Sequence, residues 1–278
     1  MSFQQRLAGA HKESDSLVCL GMDPDPALMP IPDMVSFNKA IVDATKDLVC
    51  AYKPNLAFFE AYGIPGLQAL EKTLAHIRAV APDALLIGDA KRGDVGHASQ
   101  RYAHALFEVW GFDAATVNAY GGGESIEPFL EREDKGVFVW CRSSNPGAAE
   151  LQDLKIHGAQ PGAARFFERV AQAARSWNTR GNVGLVVGAT YPEELAAVRR
   201  LCPDMPILLP GVGAQGGALQ ASVKAGVDTS GRGLLVSSSR GILYASKDPK
   251  NFASAARSAA ELLRTQINDT LHKEHKRP

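Results

Sequence analysis

Eight short apolar runs, separated by stretches with helical spacing, constrain this chain more than any other feature. They are Leu17–Met22, Leu48–Lys53, Ala84–Asp89, Ala114–Asn118, Gly136–Cys141, Val183–Gly188, Pro206–Leu209 and Gly233–Ser237. Most are rich in Val, Leu and Ile and nearly continuous in apolarity. A strand covered on both faces needs that pattern, whereas a strand with one wet face alternates. Between the runs, Ser36–Asp47 places Phe37, Ala40, Ile41 and Ala44 at helical spacing. Further helices are expected over Leu67–Val80, Ser99–Trp110, Ala163–Trp177, Pro192–Leu201, Ala214–Ala225 and Asn251–Leu271. Pro192 opens its helix where no N–H is needed, and Glu193 and Glu194 meet the positive end of the dipole. Strands alternating with helices give a parallel sheet with right-handed crossovers. Eight such units in 278 residues predict an α/β fold, a closed (β/α)8 TIM barrel. A doubly wound open sheet is the competing arrangement. No linker or shift in composition divides the chain, so one domain over residues 1–278 is expected.

Charge narrows the partners. Lys plus Arg and Asp plus Glu number 30 each, for a net charge of zero. Such balance gives no general attraction to nucleic acid or to an anionic membrane, so neither is expected as a partner. Any anion site has to be a local cluster. Apolar residues at 45 % and charged residues at 22 % suit a chain with a sizeable core and exclude a disordered or collagen-like one. Cys19, Cys50, Cys141 and Cys202 form no C-x-x-C pair, and three lie in apolar runs. They read as buried thiols in a reducing compartment, without metal. Met1–Lys12 lacks the apolar core of a secretory signal, and no run reaches the ~20 residues of a membrane helix. A cytoplasmic location is expected.

In a barrel of this kind the active site is built where the strands end. The residues closing the runs are Asp23, Lys53, Asp89 with Lys91, Asn118, Arg142 with Ser143 and Ser144, Thr190, Gly211 with Gly213, and Ser238 with Arg240. Turn chemistry covers Asn118 and the glycines. It does not cover Asp23, Lys53, Asp89 and Lys91, because charges are rarely buried unless paired. Asp89 and Lys91 stand two apart, on one side of a continuing strand, and Asp94 follows in the loop. With Lys53 they would form an alternating charge network that keeps each member ionised. A purely structural ion-pair cluster is the plainer reading. After the seventh run, Leu209–Gly217 (LPGVGAQGG) enters a helix, and SSSRG at Ser237–Gly241 does so after the eighth. Glycines there let backbone N–H groups approach an anion, and phosphate sites of such barrels lie at these two strands. Arg240 adds a guanidinium fork. Ser143–Gly162 is the longest irregular stretch, expected to order as a lid over a bound ligand.

These residues resemble the orotidine 5′-monophosphate decarboxylase family. DAKRGD at Asp89–Asp94 matches its D-x-K-x-x-D motif. LGMDPDP at Leu20–Pro26, AYKPN at Ala51–Asn55, CRSSNPGAAELQ at Cys141–Gln152, LPGVGAQGG and SSSRGI agree with it along the whole chain. The Val95–Gly96 continuation and the SNPG loop resemble the longer bacterial branch. The resemblance implies decarboxylation of orotidine monophosphate to uridine monophosphate, in pyrimidine synthesis, with no metal and no organic cofactor. It implies Lys91 as the acid that protonates C6, Asp89 beside the substrate carboxylate, and Lys53 orienting Asp89 and touching the ribose. It implies a homodimer with shared active sites, Asp94 completing the network in the partner's site. Asp23 would bind a ribose hydroxyl, Ser144 the pyrimidine edge, and Gln215 and Arg240 the phosphate.

One position departs from the pattern. Where the family usually carries Thr, four residues after the last Asp of the motif, this chain has Ala98, followed by Ser99. Either Ser99 supplies the hydroxyl or the contact is lost. His97 and His104 read as ordinary polar helix positions. A hexulose-phosphate synthase shares the barrel and a similar motif but needs Mg2+, and a catalytically silent phosphate-binding barrel is the non-enzymatic alternative.

Overall fold

In a computed structural model, which describes residues 1–156, 165–211 and 216–277, the eight runs form eight parallel strands. They are β1 Val18–Met22, β2 Ala51–Pro54, β3 Leu85–Arg92, β4 Ala114–Val117, β5 Gly136–Arg142, β6 Val183–Val187, β7 Ile207–Pro210 and β8 Leu234–Ser238. Each pairs with the next, and β8 returns to β1, so the sheet closes into a barrel. The open doubly wound sheet is excluded. The helices are α1 Phe3–Ser14, α2 Met34–Thr45, α3 Ala57–Glu60, α4 Gly63–Val80, α5 Gly96–His104, α6 Glu127–Leu130, α7 Ala149–Gln152, α8 Phe166–Trp177, α9 Pro192–Leu201, α10 Gly216–Gly226, α11 Arg240–Leu243 and α12 Phe252–Lys273. None of the described helices is long and apolar enough to cross a membrane.

Period-two alternation sorts each strand into an inner and an outer set. Val18, Leu20, Tyr52, Leu86, Val137, Val139, Leu185, Ile207, Leu209, Leu234 and Val236 pack outward against the helices. Cys19, Ala51, Leu85, Ile87, Ala114, Phe138, Val186, Leu208 and Leu235 fill the interior. Both sets are buried, which is why the runs show no polar alternation. The interior is tight. A Cβ on Gly184 would stand 2.6 Å from the Phe138 ring, so only glycine leaves room for that ring. All four cysteines are free and buried.

Helix α1, which no apolar run announced, closes the N-terminal end of the barrel. Ser2 and Gln5 form a capping box at its start. Phe3, Leu7 and Ala10 join the interior cluster, and Phe3 occupies the space that a side chain on Gly136 would need. Arg6 bonds Asp113 at 2.5 Å, beneath β4. His11 on the same helix is buried, with neither ring nitrogen bonded among the described residues.

Three expected elements differ. Helix α4 begins at Gly63 rather than Leu67, because Pro65 falls in a first turn that needs no N–H from it. The expected Ser99–Trp110 helix starts three residues earlier and ends in a π turn, Ala105–Val109, where Trp110 N reaches Ala105 O. Part of the Ser143–Gly162 stretch is ordered as a 3-10 turn at Pro146–Ala148 followed by α7. The rest of that expected lid, from 157 onward, lies outside the described residues.

Candidate active site

The inner set does not stay apolar. Two residues beyond Ala51 comes Lys53, two beyond Ile87 comes Asp89, and two beyond Ala114 comes Thr116. All three end up at the C-terminal mouth. Lys53 Nζ donates to Asp89 Oδ2 at 2.6 Å, and Lys91 Nζ donates to Asp89 Oδ1 at 2.5 Å. Lys53 and Asp89 are buried, at 4 % and 8 % exposed. The Lys91 side chain is 36 % exposed and is the member of the cluster open to a ligand. Burial works against the Asp89 charge, but Lys53 and Lys91 outweigh it and hold the carboxyl well below the usual carboxylate range. Burial likewise opposes the Lys53 charge. The Asp89 and Asp23 carboxylates reverse that and raise it above an ordinary lysine.

The strand bends to make this pairing. Gly88 is in register with Ala115 and Arg92 with Val117, so β3 bulges over Asp89–Lys91. Lys91 itself is left-handed, with φ +48°. That conformation costs a non-glycine residue about 1–2 kcal/mol. Thr116 stands under the bulge. Its Oγ1 accepts from the Ala90 and Lys91 amides and donates to Asp89 Oδ1, each at 3.0 Å. Thr116 carries only a faint mark in the sequence. Its signal was a hydroxyl at an inward position of an otherwise apolar run.

The other expected residues lie around this centre. Asp23 follows β1, and its Oδ1 is buried with no hydrogen-bond partner among the described residues. Ser144 crosses the ends of β6 and β7: a Cβ on Gly188 would stand 2.7 Å from Ser144 N, and one on Gly211 3.6 Å from its Oγ. Arg240 is exposed and starts α11 directly after β8. Gln215 lies outside the described residues. Asp94 does not join the cluster in its own chain. Its carboxylate is exposed and accepts from the Val95 amide.

Ser99 is committed within its own chain. It is fully buried, and its Oγ donates to Ser125 O at 2.6 Å while accepting from Asp94 N at 3.0 Å. The hydroxyl is spent on the loop that carries Asp94. His97 and His104 are exposed helix positions, as expected. Among the described residues no three of His, Cys, Asp and Glu are grouped to hold a metal ion.

A second buried network braces the loop after β5. The Arg142 guanidinium, 3 % exposed, bonds Gln152 Oε1 at 3.1 Å and Asp153 Oδ2 at 3.3 Å. Gln152 Oε1 also accepts from the Ser143 amide at 2.8 Å. The stretch leading to Ser144 is thereby held from both ends.

The family model described as orotidine 5′-phosphate decarboxylase/HUMPS matches residues 16–256. This chain belongs to that family. It is 50 % identical over 274 residues to a protein of Thermomicrobium roseum named orotidine 5′-phosphate decarboxylase, covering 96 % of this chain and 95 % of the relative. A Roseiflexus castenholzii protein of the same name is 48 % identical, covering 98 % and 99 %. The solved structure of Leishmania donovani OMP decarboxylase superposes with a TM-score of 0.83 at 37 % identity, covering 97 % of this chain and 98 % of that one. The similarity to these orotidine 5′-phosphate decarboxylase relatives runs from the first strand of the barrel to the eighth.

Proposed function

We propose that this protein decarboxylates orotidine 5′-monophosphate to uridine monophosphate and CO2. The observation that carries this reading is the Lys53–Asp89–Lys91 cluster, a buried carboxylate clamped by two ammonium groups with Lys91 facing the open mouth. In the reaction the bond between C6 and the carboxylate carbon breaks, its electron pair stays on C6, and CO2 leaves. Lys91 gives its Nζ proton to C6, forming the new C–H bond. A fixed ammonium stabilises the charge where it develops, and in a site closed to water this effect is large. Asp89, kept ionised by its neighbours, stands beside the departing carboxylate and holds Lys91 in place.

Nucleotide binding is divided among the strand ends. Asp23 accepts from a ribose hydroxyl through the buried oxygen that has no hydrogen-bond partner among the described residues. Lys53 orients Asp89 and touches the ribose. Ser144 reads the pyrimidine edge, and Arg240 and Gln215 hold the phosphate. Phosphate contacts far from C6 supply binding energy that is realised in the transition state. The family resemblance implies a homodimer with shared sites, in which Asp94, exposed in its own chain, completes the network of the partner's site. The site chemistry needs no metal or organic cofactor, and the chain works in the cytoplasm.

The test is loss of orotidine monophosphate absorbance in buffer containing EDTA, for the wild type and Lys91→Ala. Loss in the wild type and none in the variant supports both the reaction and its acid. Activity that appears only with Mg2+ and a sugar phosphate substrate would favour the aldol chemistry of a hexulose-phosphate synthase. Binding of the nucleotide without turnover in either protein would favour a silent phosphate-binding barrel.

A further inference from the structure

Thr116 makes three hydrogen bonds through one oxygen. A threonine hydroxyl has one proton and two acceptor positions, and here all are used within the bulge of β3. The Ala90 and Lys91 amides, consecutive on the chain, converge on Oγ1, and its proton goes to Asp89 Oδ1. Thr116 is 1 % exposed, so water does not compete for these bonds. One side chain of β4 therefore holds both the main chain and the carboxylate that fix Lys91.

The other two donors on Asp89 are ammonium groups at the ends of four-carbon stems. Such stems give charge but little orientation. Thr116 differs: its β-branched side chain is short and stiff at χ1, and it rises from a strand buried in the barrel wall. It is the rigid one of the three donors. It also bonds the amide of the one residue in β3 with a left-handed backbone, Lys91. Without the hydroxyl, the Ala90 and Lys91 amides lose an acceptor, and Asp89 keeps only flexible partners.

We infer that Thr116 is a positioning residue for the decarboxylation, setting where the Lys91 ammonium stands relative to C6. This rests on the reading of Lys91 as the acid. Thr116 does not touch substrate; it acts through the Lys91 backbone and the Asp89 carboxylate. Misplacing a reacting group by a fraction of an ångström lowers turnover with little change in nucleotide binding, because the phosphate contacts are made elsewhere.

The experiment compares the wild type, Thr116→Val, Thr116→Ser and Lys91→Ala for kcat, KM, uridine monophosphate affinity and thermal unfolding. Valine keeps the shape and removes the hydroxyl. The expected result is a fall in kcat of roughly 10–100-fold for Thr116→Val, with product affinity changed less than about threefold. Thr116→Ser should retain at least about a third of wild-type kcat, since it keeps the hydroxyl. Full activity in Thr116→Val overturns the inference. So does a Thr116→Ser variant as slow as Thr116→Val, or product affinity falling in step with kcat. If Thr116→Val does not fold, Thr116→Ala is read by the same criteria. An inactive Lys91→Ala beside a fully active Thr116→Val sinks this inference alone; a fully active Lys91→Ala sinks the role of Lys91 and this inference with it.

Discussion

Arg142, the last residue of β5, is tied to Glu194 in the first turn of α9: Nε donates to Glu194 Oε2 at 2.7 Å and Nη2 to Oε1 at 3.4 Å. Both residues are buried, at 3 % and 9 % exposed. The same guanidinium holds Gln152, which in turn holds the Ser143 amide. Glu194→Gln keeps the shape and removes the charge facing a buried cation. Urea unfolding should show a loss of about 2–3 kcal/mol. Loosening of the Ser143–Ser144 segment should raise KM several-fold with kcat nearly unchanged. An unchanged KM would separate this network from substrate binding.

Lys53 is more deeply committed to Asp89 than Lys91 is. Lys53→Met removes the donor that Asp89 Oδ2 has among the described residues and leaves a buried carboxylate with one ammonium and one hydroxyl. Breaking a buried pair from one side costs about 3 kcal/mol. Chemical denaturation should report that loss, together with a fall in decarboxylation. Stability equal to wild type would mean that Lys91 and Thr116 alone suffice to hold the Asp89 charge.

Ser99 is fully buried, with its hydroxyl proton on Ser125 O. In the proposed homodimer, a threonine at position 98 should supply the ribose contact that the family resemblance places there. Ala98→Thr should lower KM by roughly 2–10-fold, the equivalent of one hydrogen bond. The check is steady-state kinetics on the intact protein. A KM that stays level or rises counts against a ribose contact at this position.

His11 makes stability depend on pH. Burial, then the Arg232 charge, lower its pKa from 6.5 to about 4, with Asp228 opposing. The unfolded chain takes up the proton below about pH 6.5, while the folded chain refuses it until about pH 4. Stability is thus full above pH 6.5 and falls as the pH drops through that window, by about 3 kcal/mol in all. Urea midpoints measured from pH 7 to 4 should show the decline, and His11→Leu should flatten it. An equal slope in both proteins would assign the acid sensitivity elsewhere.

The strands were legible because burial on both faces forces apolar runs, as in Val183–Val187. The charged centre was legible because Lys53 and Asp89 break such runs at their ends. Other parts carry weaker marks. Helix α1 has a mixed surface, since its apolar residues face the barrel interior while Arg6 and Gln5 face out or bond loops. Thr116 sits inside a four-residue strand, where one hydroxyl does not disturb the pattern. Its role comes from the β3 bulge, a feature of pairing between strands that no single run encodes. Arg142 and Glu194 stand 52 residues apart, and only barrel closure makes them neighbours.

Helix α1 also orders events in time. It precedes every strand in the chain, yet its seat includes Gly136 and Phe138 on β5 and Asp113 before β4, in one apolar cluster with inner residues of the other strands. That seat does not exist until the ring is nearly complete. During synthesis, the segment made before any strand must wait, with Phe3 and Leu7 uncovered, until the later strands have assembled around the place it will fill.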